Sequence, residues 1–397
     1  MKFAAALSSQ HNVKDAVDKL KEQLVAGGWE LGRPADLACL FVSPHFKESC
    51  QELLDEIRGM VDTRHLIGCT GESIIGGDQE IEQQPAVSLW LAEMPDVNVI
   101  TFALSAGEIA LGIELNDWPE RLQVDSDESP SFILLPEPYT SNAPNLLNSI
   151  NESYPGCPAI GGIASAGGPG DNRLFFDDRV LEEGMAGAAL TGDVVIETVV
   201  SQGCRPIGRP FVVTKVERNV VLELAGVAAL EQFKEVYAGL DENDQALVQT
   251  GLFLGRVVDE YREDFQRGDF LIRNVIGADH NTGSMTVTDV IRVGQTIQFH
   301  VRDAETADED LRELLSTERS ASDDRSPGGA LLFTCNGRGS RMFDTANHDA
   351  GAIQQIEGQI PLAGFFAGGE IGPIGDENFL HGYTASMVLF RPQTETK

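Results

Sequence analysis

Short apolar segments alternate with amphipathic segments along the first part of the chain. Apolar residues recur at helical spacing over residues 13–25, which predicts an amphipathic first helix. Residues 36–42 (D-L-A-C-L-F-V) predict a buried strand that opens into a polar loop, and residues 50–57 predict the next helix. Residues 65–70 (H-L-I-G-C-T) predict a second strand. The pattern predicts a unit of strand, helix and strand, followed after a loop by a strand at residues 85–92.

The same order of elements occurs twice more. Residues 131–135 predict a strand, residues 146–150 a helix, and residues 158–168 a glycine-rich strand and turn that precede a further strand. Residues 328–391 show the order again, with C-N-G-R-G-S-R after the first strand. We interpret the three segments as copies of one strand–helix–strand–strand unit, so that the chain contains an internal repeat.

A glycine stands at the same place in each copy, in the pairs Ile67-Gly68, Gly161-Gly162 and Ala363-Gly364. Glycine weakens a strand unless something needs to approach its backbone closely. We interpret the recurrence as a sign of tight sheet packing, with a ligand against the backbone as the less common alternative.

The segment between the second and third copies has a different pattern. Residues 209–224 predict a hairpin, residues 228–238 a helix, and further strands follow. A chain of 397 residues is long for one core, so we predict two domains, at residues 1–204 and 205–397. Hairpin-like connections between the last two strands of each copy exclude all-parallel sheets. We predict an α+β fold with mixed β-sheets, layered as a helix–sheet–sheet–helix (αββα) sandwich.

The charge of the chain excludes two classes of partner. The formal net charge is −33 at pH 7. A nucleic-acid partner needs a concentrated basic face, and an anionic membrane surface attracts basic segments, so we expect neither partner. We interpret the charge as an acidic, well-solvated surface.

The cysteines and histidines are scattered along the chain. Six cysteines without a close C-x-x-C pair are not typical of a disulfide framework or a zinc site, and the seven histidines lack paired ligand spacing. The apolar run at the N-terminus is too short for a signal peptide, and we find no membrane-spanning segment. We expect a cytoplasmic protein with no cofactor and no bound metal.

The polar loop at residues 335–341 is the leading candidate for a binding site. It follows a predicted strand, and ligands gather at the carboxyl ends of strands in sheets with parallel strands. Arg338 could clamp a carboxylate with two hydrogen bonds, and Asn336 could add a directional one. In the alternative, Arg338 pairs with one of the many acidic side chains and the glycines only form a turn.

Five further residues extend this candidate site, and Gly369 and Glu370 are neighbours among them. Glu370 lies in the run G-G-E-I-G-P and could hold an ammonium group or Arg338 itself. His381 begins the last strand, where a lone histidine is more often structural than a ligand contact. His45 and Glu72 stand in the corresponding loops of the first copy. The candidate ligand-binding residues are Cys335, Asn336, Arg338, Gly339, Arg341, Gly369, Glu370, His381, His45 and Glu72.

A rival hypothesis is catalytic. Cys335 would be a nucleophile, with His348 or His381 as its base and Asp344 or Asp349 as the group that orients the base. The neighbouring glycine and arginine favour a lowered thiol pKa. No spacing identifies such a triad, so we assign no catalytic residue and keep a Cys335-dependent hydrolase or transferase as the alternative.

Several of these motifs resemble the FIST family (F-box and intracellular signal transduction proteins), with its N-terminal and C-terminal domains. The motifs are G-C-T-G-E and Q-E-I-E in residues 66–86, R-N-V-I-G-A-D-H-N-T-G, F-T-C-N-G-R-G-S-R, P-L-A-G-F-F-A-G-G-E-I-G-P-I-G and N-F-L-H-G-Y-T-A-S. The likeness covers nearly the whole chain. It implies a sensory module in intracellular signal transduction, with a small ligand and a signalling protein as partners.

Amino acids are the ligands suggested for the family, and an amino acid carries both charges. An arginine and a glutamate that face one cavity would match it chemically. The resemblance implies no agreed catalytic residues. Because we recognise no signalling output and no F-box in the sequence, we expect a stand-alone, non-catalytic ligand-binding protein. A protein-interaction scaffold is a further alternative, since family members with an F-box use the fold for recognition.

Overall fold

The computed structural model describes residues 1–110, 118–262, 264–322 and 326–392. Contacts between residues divide the chain into two compact units. Unit 1 comprises Met1–Val200, Leu311–Leu380 and the described residues from Thr384 onward, and unit 2 comprises Ser201–Asp310 and His381–Tyr383. The chain therefore leaves unit 1 after residue 200 and returns to it at residue 311.

The described helices and strands follow one another in this order. The elements that begin before residue 200 are β1 (Lys2–Ser8), α1 (Val13–Ala26), β2 (Pro34–Ala35), β3 (Leu37–Val42), α2 (Cys50–Met60), β4 (Asp62–Thr63), β5 (Leu66–Thr70), β6 (Ser73–Gly76), β7 (Gln79–Glu82), β8 (Val87–Glu93), β9 (Val97–Leu104), α3 (Ala106–Ala110), α4 (Trp118–Leu122), β10 (Ser131–Pro136), α5 (Ala143–Ser153), β11 (Ala159–Gly162), β12 (Leu174–Phe176), β13 (Arg179–Leu181), β14 (Met185–Gly192) and β15 (Val194–Gln202). The next are β16 (Cys204–Glu217), β17 (Val220–Leu224), β18 (Val227–Ala228), α6 (Ala229–Ala238), α7 (Glu242–Thr250), β19 (Leu252–Val257), β20 (Phe270–Asp279), β21 (Ser284–Val287), β22 (Thr296–Arg302) and α8 (Ala304–Ala321). The last are β23 (Gly329–Cys335), α9 (His348–Glu357), β24 (Leu362–Ala367), β25 (Glu370–Ile374), β26 (Glu377–His381) and β27 (Thr384–Pro392).

Three six-stranded sheets with one common strand order build the described part of unit 1. The orders are β1-β8-β3-β5-β12-β13, β9-β14-β10-β11-β25-β26 and β15-β27-β23-β24-β6-β7. In each sheet the two middle strands run parallel, and both of their outer neighbours are antiparallel to them. Each parallel pair is joined by a helix, as the strand–helix–strand pattern requires.

The strands that follow each parallel pair in the chain pair with a different sheet. The hairpin β6–β7 follows β5 in the chain but pairs with β24, the hairpin β12–β13 follows β11 but pairs with β5, and β25 follows β24 but pairs with β11. The three sheets are therefore linked in a ring, in which each sheet is completed by residues from elsewhere in the chain.

The inner faces of the three sheets share one apolar core. Phe41 of the first sheet contacts Phe333 and Phe365 of the third, with ring centroids 6.1 and 5.3 Å apart, and Ile133 and Ile160 of the second sheet belong to the same cluster. Burial of each such side chain contributes about 1.5–3 kcal/mol. The outer faces are covered by helices, whose apolar stripes form three separate clusters.

Glycine is required where the parallel strands approach each other. Gly68 lies opposite Leu40, Gly161 opposite Leu134 and Gly364 opposite Leu332. A Cβ atom on these glycines would stand 2.0, 1.9 and 1.8 Å from the carbonyl oxygens of those leucines. No side chain fits there, so close approach within the sheet explains the three glycines.

Unit 2 has an antiparallel sheet of its own. Its strand order is β16-β22-β19-β20-β21-β17-β18, and an additional pairing between β16 and β17 closes the sheet on itself. Phe299 packs against Phe211 and Phe233 in its core, with ring centroids 6.0 and 5.2 Å apart.

The predicted α+β fold class with mixed sheets is confirmed. Sheets covered by helices on one face pack on one another through the other face, as the predicted layering requires, but three sheets rather than two meet at the core. The compact units do not follow sequential halves of the chain, because residues 311–380 complete sheets that begin before residue 200. The division at residue 204 stays a prediction about sequence domains.

The strand contact at Gly364 can be tested by substitution. We expect Gly364→Ala to lower the free energy of unfolding by about 3 kcal/mol, because the new methyl group meets backbone atoms that cannot rotate away. Gly351→Ala is the matched control in α9, where a Cβ meets no atom within 4 Å, and it should stabilise the protein by about 0.5–1 kcal/mol. Urea unfolding of both variants measures the difference. Equal stability of Gly364→Ala and wild type would contradict the close approach.

Candidate functional site

The first strand of each parallel pair ends at a corresponding corner. Ser43, Glu137 and Cys335 each stand three residues after the leucine that faces a glycine. We call these the first, second and third corner. At the first corner Ser43 Oγ accepts the Ala86 N–H at 2.9 Å, and at the second Glu137 Oε2 accepts the Thr140 hydroxyl at 2.7 Å. The Ser43 and Glu137 side chains are therefore satisfied by neighbouring protein groups.

The third corner has different chemistry. Cys335 is half-buried, and the Gly337 N–H points at its sulfur at 3.3 Å. Glu370 Oε2 accepts the Thr384 N–H at 3.1 Å and the Thr384 hydroxyl at 2.7 Å. The Cys335 thiol and the Glu370 carboxyl also lie close together, since the thiol contributes a hydrogen bond to that carboxyl. A thiol and a carboxyl thus meet where the first corner has a single hydroxyl.

Glu370 occupies a position that is apolar in the other two sheets. It pairs with Gly162, one residue beyond the close-approach glycine, and the corresponding residues are Ile74, opposite Phe365, and Leu174, opposite Cys69. Glu370 is 0 % exposed. A carboxyl group has replaced an aliphatic side chain at a fully buried point of the fold.

Burial determines the protonation of Glu370. Desolvation raises its pKa to about 8, although the bonds from Thr384, the Cys335 thiol and the Arg338 charge act in the opposite direction. In the described part of the chain, Glu370 Oε1 has no hydrogen-bond partner. A buried polar atom left unpaired costs stability, so its presence in a fold calls for an explanation, and a bound ligand is one.

Arg338 is buried beside this corner and is held by Asp349. Its Nε and Nη2 donate to the two Asp349 oxygens at 2.7 and 2.8 Å, and the guanidinium lies 5.1 Å from the Phe343 ring. Burial would raise the pKa of Asp349, but the Arg338 charge and the His348 ring hold it below its ordinary value. Arg338 Nη1 has no hydrogen-bond partner among the described residues.

Glu80 enters the same cluster from the hairpin β6–β7. Its Oε1 accepts the Ala350 N–H at the start of α9, at 2.9 Å. Burial, and then the nearby Asp349 charge, raise the pKa of Glu80 to about 8. Sequence reasoning did not select Glu80, because its surroundings are supplied by α9, far away in the chain.

An exposed ion pair lies at the rim of the site. Arg341 donates to both Glu72 oxygens, at 2.9 and 2.5 Å, and to the Asn336 carbonyl at 2.7 Å. An exposed pair of this kind contributes about 0–1 kcal/mol. Asn336 Oδ1 is buried and has no hydrogen-bond partner in the described residues. The structure therefore brings Glu72, Arg341 and Asn336 together.

The glycines of the candidate site have structural roles. Gly339 has a φ of +58°, and a Cβ there would stand 2.7 Å from the Phe366 ring and 2.8 Å from Glu82 Oε1. The Gly369 carbonyl accepts the Ile163 N–H at 2.9 Å. Both positions shape the backbone around Cys335 and Glu370.

The two candidate histidines lie on other elements of the chain. His45 is exposed at the first corner, where its Nδ1 lies 3.3 Å from Ser43 Oγ. His381 ends β26, is buried, and is grouped with unit 2. Thr384, which sequence reasoning missed, begins β27 and donates two hydrogen bonds to Glu370 from fourteen residues further along the chain.

Of the groups in the catalytic alternative, Asp349 and His348 are joined. His348 Nδ1 lies 2.8 Å from Asp349 Oδ1, and the His348 ring stacks on Phe343 at 3.4 Å. Asp344 is exposed. Asp349 orients His348, as that alternative requires, but it also carries both bonds from Arg338.

The chain belongs to the FIST family. The FIST N domain matches residues 36–227 and the FIST C domain matches residues 229–373. Domains of this family are associated with signal transduction and with the sensing of small ligands. The family assignment from the motifs is confirmed.

Relatives in mycobacteria share nearly the whole length of the chain. An uncharacterized protein of Mycobacterium tuberculosis is 41% identical over 396 residues, which cover 98% of this chain and 100% of the relative. An uncharacterized protein of Mycobacterium bovis is 44% identical over 363 residues, which cover 90% of this chain and 91% of the relative. The names of these relatives give no activity.

Solved structures of cyanuric acid hydrolases show a weak likeness. The enzyme from A. caulinodans aligns with 98% of this chain and 100% of its own, at a TM-score of 0.36 and 11% identity, and a second cyanuric acid hydrolase has a TM-score of 0.32 and 10% identity. A likeness at this level carries no argument about function. In the described residues no helix is long and apolar enough to cross a bilayer.

The raised pKa of Glu370 predicts a pH-dependent contribution to stability. The folded protein binds the Glu370 proton more tightly than the unfolded chain, so the stabilisation is complete below about pH 4.5 and is lost as the pH rises toward 8. Between pH 5 and 8.5 we expect wild type to lose stability relative to Glu370→Gln by a few kcal/mol, since one pKa unit corresponds to about 1.4 kcal/mol. Unfolding curves at a series of pH values measure this. A difference that stays constant with pH would show that Glu370 is ionised in the folded protein.

Proposed function

We propose that this protein is a non-catalytic sensor of a small ligand, an amino acid or a similar small metabolite, which acts with a signalling protein partner in the cytoplasm. The family association with small-ligand sensing supports the class of function. In the described part of the chain the six cysteines form no disulfide bond, which agrees with a reducing compartment.

One observation carries the proposal. Three buried polar atoms around Cys335 lack hydrogen-bond partners among the described residues, namely Glu370 Oε1, Arg338 Nη1 and Asn336 Oδ1. Glu370 begins β25, and Asn336 and Arg338 lie in the turn between β23 and α9. Protein interiors pair their buried polar groups, so a cluster of unpaired ones fits a site whose partners arrive with a ligand.

The charges of the cluster match a small carboxylic acid. Arg338 keeps its charge, because Asp349 raises its pKa against the effect of burial, and its free Nη1 offers a donor to a ligand carboxylate. Glu370 and Asn336 supply further polar contacts at the same corner. Glu72 and Arg341 form the exposed rim, while His45 and His381 have no part in this proposal.

A ligand screen tests the proposed function. Amino acids and other small metabolites should include a compound that stabilises the protein by about 2.7 kcal/mol at one hundred times its dissociation constant. Arg338→Lys keeps a charge opposite Asp349 but loses the free Nη1, so it should lose most of the response. Lys47→Ala, which removes a half-buried pair with Asp171, is the control and should respond like wild type. Thermal unfolding measures all three. An unchanged response in Arg338→Lys would remove Arg338 from the site.

A second function is favoured by the surroundings of the Cys335 sulfur. The Gly337 N–H points at the sulfur from 3.3 Å, the Arg338 charge acts on Cys335, and a carboxyl that can exchange a proton lies beside the thiol. This arrangement suits a Cys335-dependent hydrolase or transferase, in which Cys335 is the nucleophile.

Alkylation separates the two functions. If Cys335 is a nucleophile, iodoacetamide at neutral pH should modify it much faster than a cysteine in an unfolded peptide, because the thiolate is the reacting species. The other five cysteines are buried and should stay unmodified, and Cys335→Ser gives the background. Mass spectrometry of the digested protein reads out the site. A rate no greater than that of the peptide thiol rules out the catalytic function and leaves the sensory one.

A further inference from the structure

Glu370 is a carboxyl whose two oxygens have unlike surroundings. Oε2 accepts two hydrogen bonds, one from the Thr384 N–H and one from the Thr384 hydroxyl. Oε1 is buried and has no hydrogen-bond partner in the described part of the chain. Because Oε2 is already occupied by two donors, a proton on this carboxyl belongs on Oε1.

The groups that face Glu370 do not neutralise it. Cys335 approaches from the end of β23, and Arg338 approaches from the turn that follows. Arg338 gives two of its nitrogens to Asp349 on α9, and Glu80 of β7 adds a further carboxyl behind it. A buried carboxylate without its own counterion is strongly disfavoured, so Glu370 is the neutral acid near pH 7.

We propose that Glu370 is a hydrogen-bond donor in the ligand site, and that the ligand is a small 2-oxo acid held through its oxygen atoms rather than an ammonium compound. This inference rests on the proposed sensory function and names its ligand class. Its basis is geometric: the Glu370 oxygen without a protein partner is the one on which the proton belongs.

A 2-oxo acid fits the unpaired groups. It presents a carboxylate and an adjacent carbonyl oxygen in one plane, and both are acceptors. Arg338 Nη1–H and Glu370 Oε1–H are the donors available for them. Half a turn of the Asn336 amide places Nδ2–H where Oδ1 now stands, which adds a third donor. The ammonium group of an amino acid is a hydrogen-bond donor and cannot accept a bond from either of these groups. It could pair with Glu370 only after Glu370 had lost its proton.

Matched ligand pairs test the ligand class. Pyruvate, 2-oxoglutarate and 2-oxoisovalerate are compared with alanine, glutamate and valine by calorimetry at pH 7. The oxo acid of at least one pair should bind at least tenfold more tightly than its amino acid. Tighter binding of the amino acids would overturn the ligand class and leave the sensory function standing. If neither series binds, the ligand class is overturned, while the proposed function stands or falls with the broader screen of small metabolites.

Two variants of Glu370 test its role as donor. Glu370→Gln keeps an acceptor for Thr384 and presents an N–H in place of Oε1–H, so it should bind the oxo acid within about threefold of wild type. Glu370→Leu has the residue that Leu174 provides at the corresponding position, so it should fold, but its affinity should fall by about 10- to 100-fold. Loss of binding in Glu370→Gln equal to that in Glu370→Leu would show that a negative charge is needed, and would overturn the donor role.

Infrared spectroscopy tests the proton on Glu370 without any ligand. The carbonyl band of a protonated carboxyl should be present in wild type at pH 7 and should lose intensity in Glu370→Gln. Glu108→Gln is the control, because the hydrogen bond from Arg121 lowers the pKa of Glu108 to about 2 and that group is ionised at pH 7. An equal band in wild type and Glu370→Gln would overturn the donor role, whatever the ligand screen gives.

Discussion

The close approach of parallel strands at three glycines is the constraint on which unit 1 depends. The carbonyl oxygens of Leu40, Leu134 and Leu332 lie where a side chain would begin on the opposite strand. This contact brings the first strand of each pair tightly against the second, and it fixes the register of the residues that follow. The strand ends at Ser43, Glu137 and Cys335 are therefore placed alike, and differences among them come from side chains on a common backbone.

Because the three sheets share one backbone arrangement, the side chains at corresponding positions can be compared directly, and a departure from the common pattern points to function. Where the first and third sheets have Leu174 and Ile74, the second has Glu370, and the stability of the surrounding sheet has to offset the cost of its burial. The same part of the molecule holds Arg338 and Asp349, a buried ion pair of the kind that hydrophobic residues can often replace without loss. Such costly groups persist at functional sites more often than in cores, which is why the third corner and not the first or second is the candidate site.

Sequence analysis predicted the helices and strands better than it predicted which strands pair with each other. Apolar periodicity and glycine placement gave the strand–helix–strand order and the α+β class, because both depend on local residues. The passage of hairpins between sheets could not be found in this way, since Ser73–Gly76 pairs with a strand near the end of the chain. The strand Lys2–Ser8 was missed, because its short apolar run carries no turn signal that marks it as a strand.

The candidate site was predicted in part. The loop after Gly329–Cys335 and the glutamate after two glycines were recognised by their residue types, and the structure places Cys335 and Glu370 side by side. The alternative prediction, in which Arg338 pairs with an acidic side chain of the protein, holds for two of its nitrogens, which donate to Asp349.

The pairing of each hairpin with a different sheet has a further consequence, for synthesis on the ribosome. The strand Ser73–Gly76 emerges long before its partner Leu362–Ala367 exists, so its open edge must wait unpaired while the rest of the chain is made, exposed to association with other nascent chains.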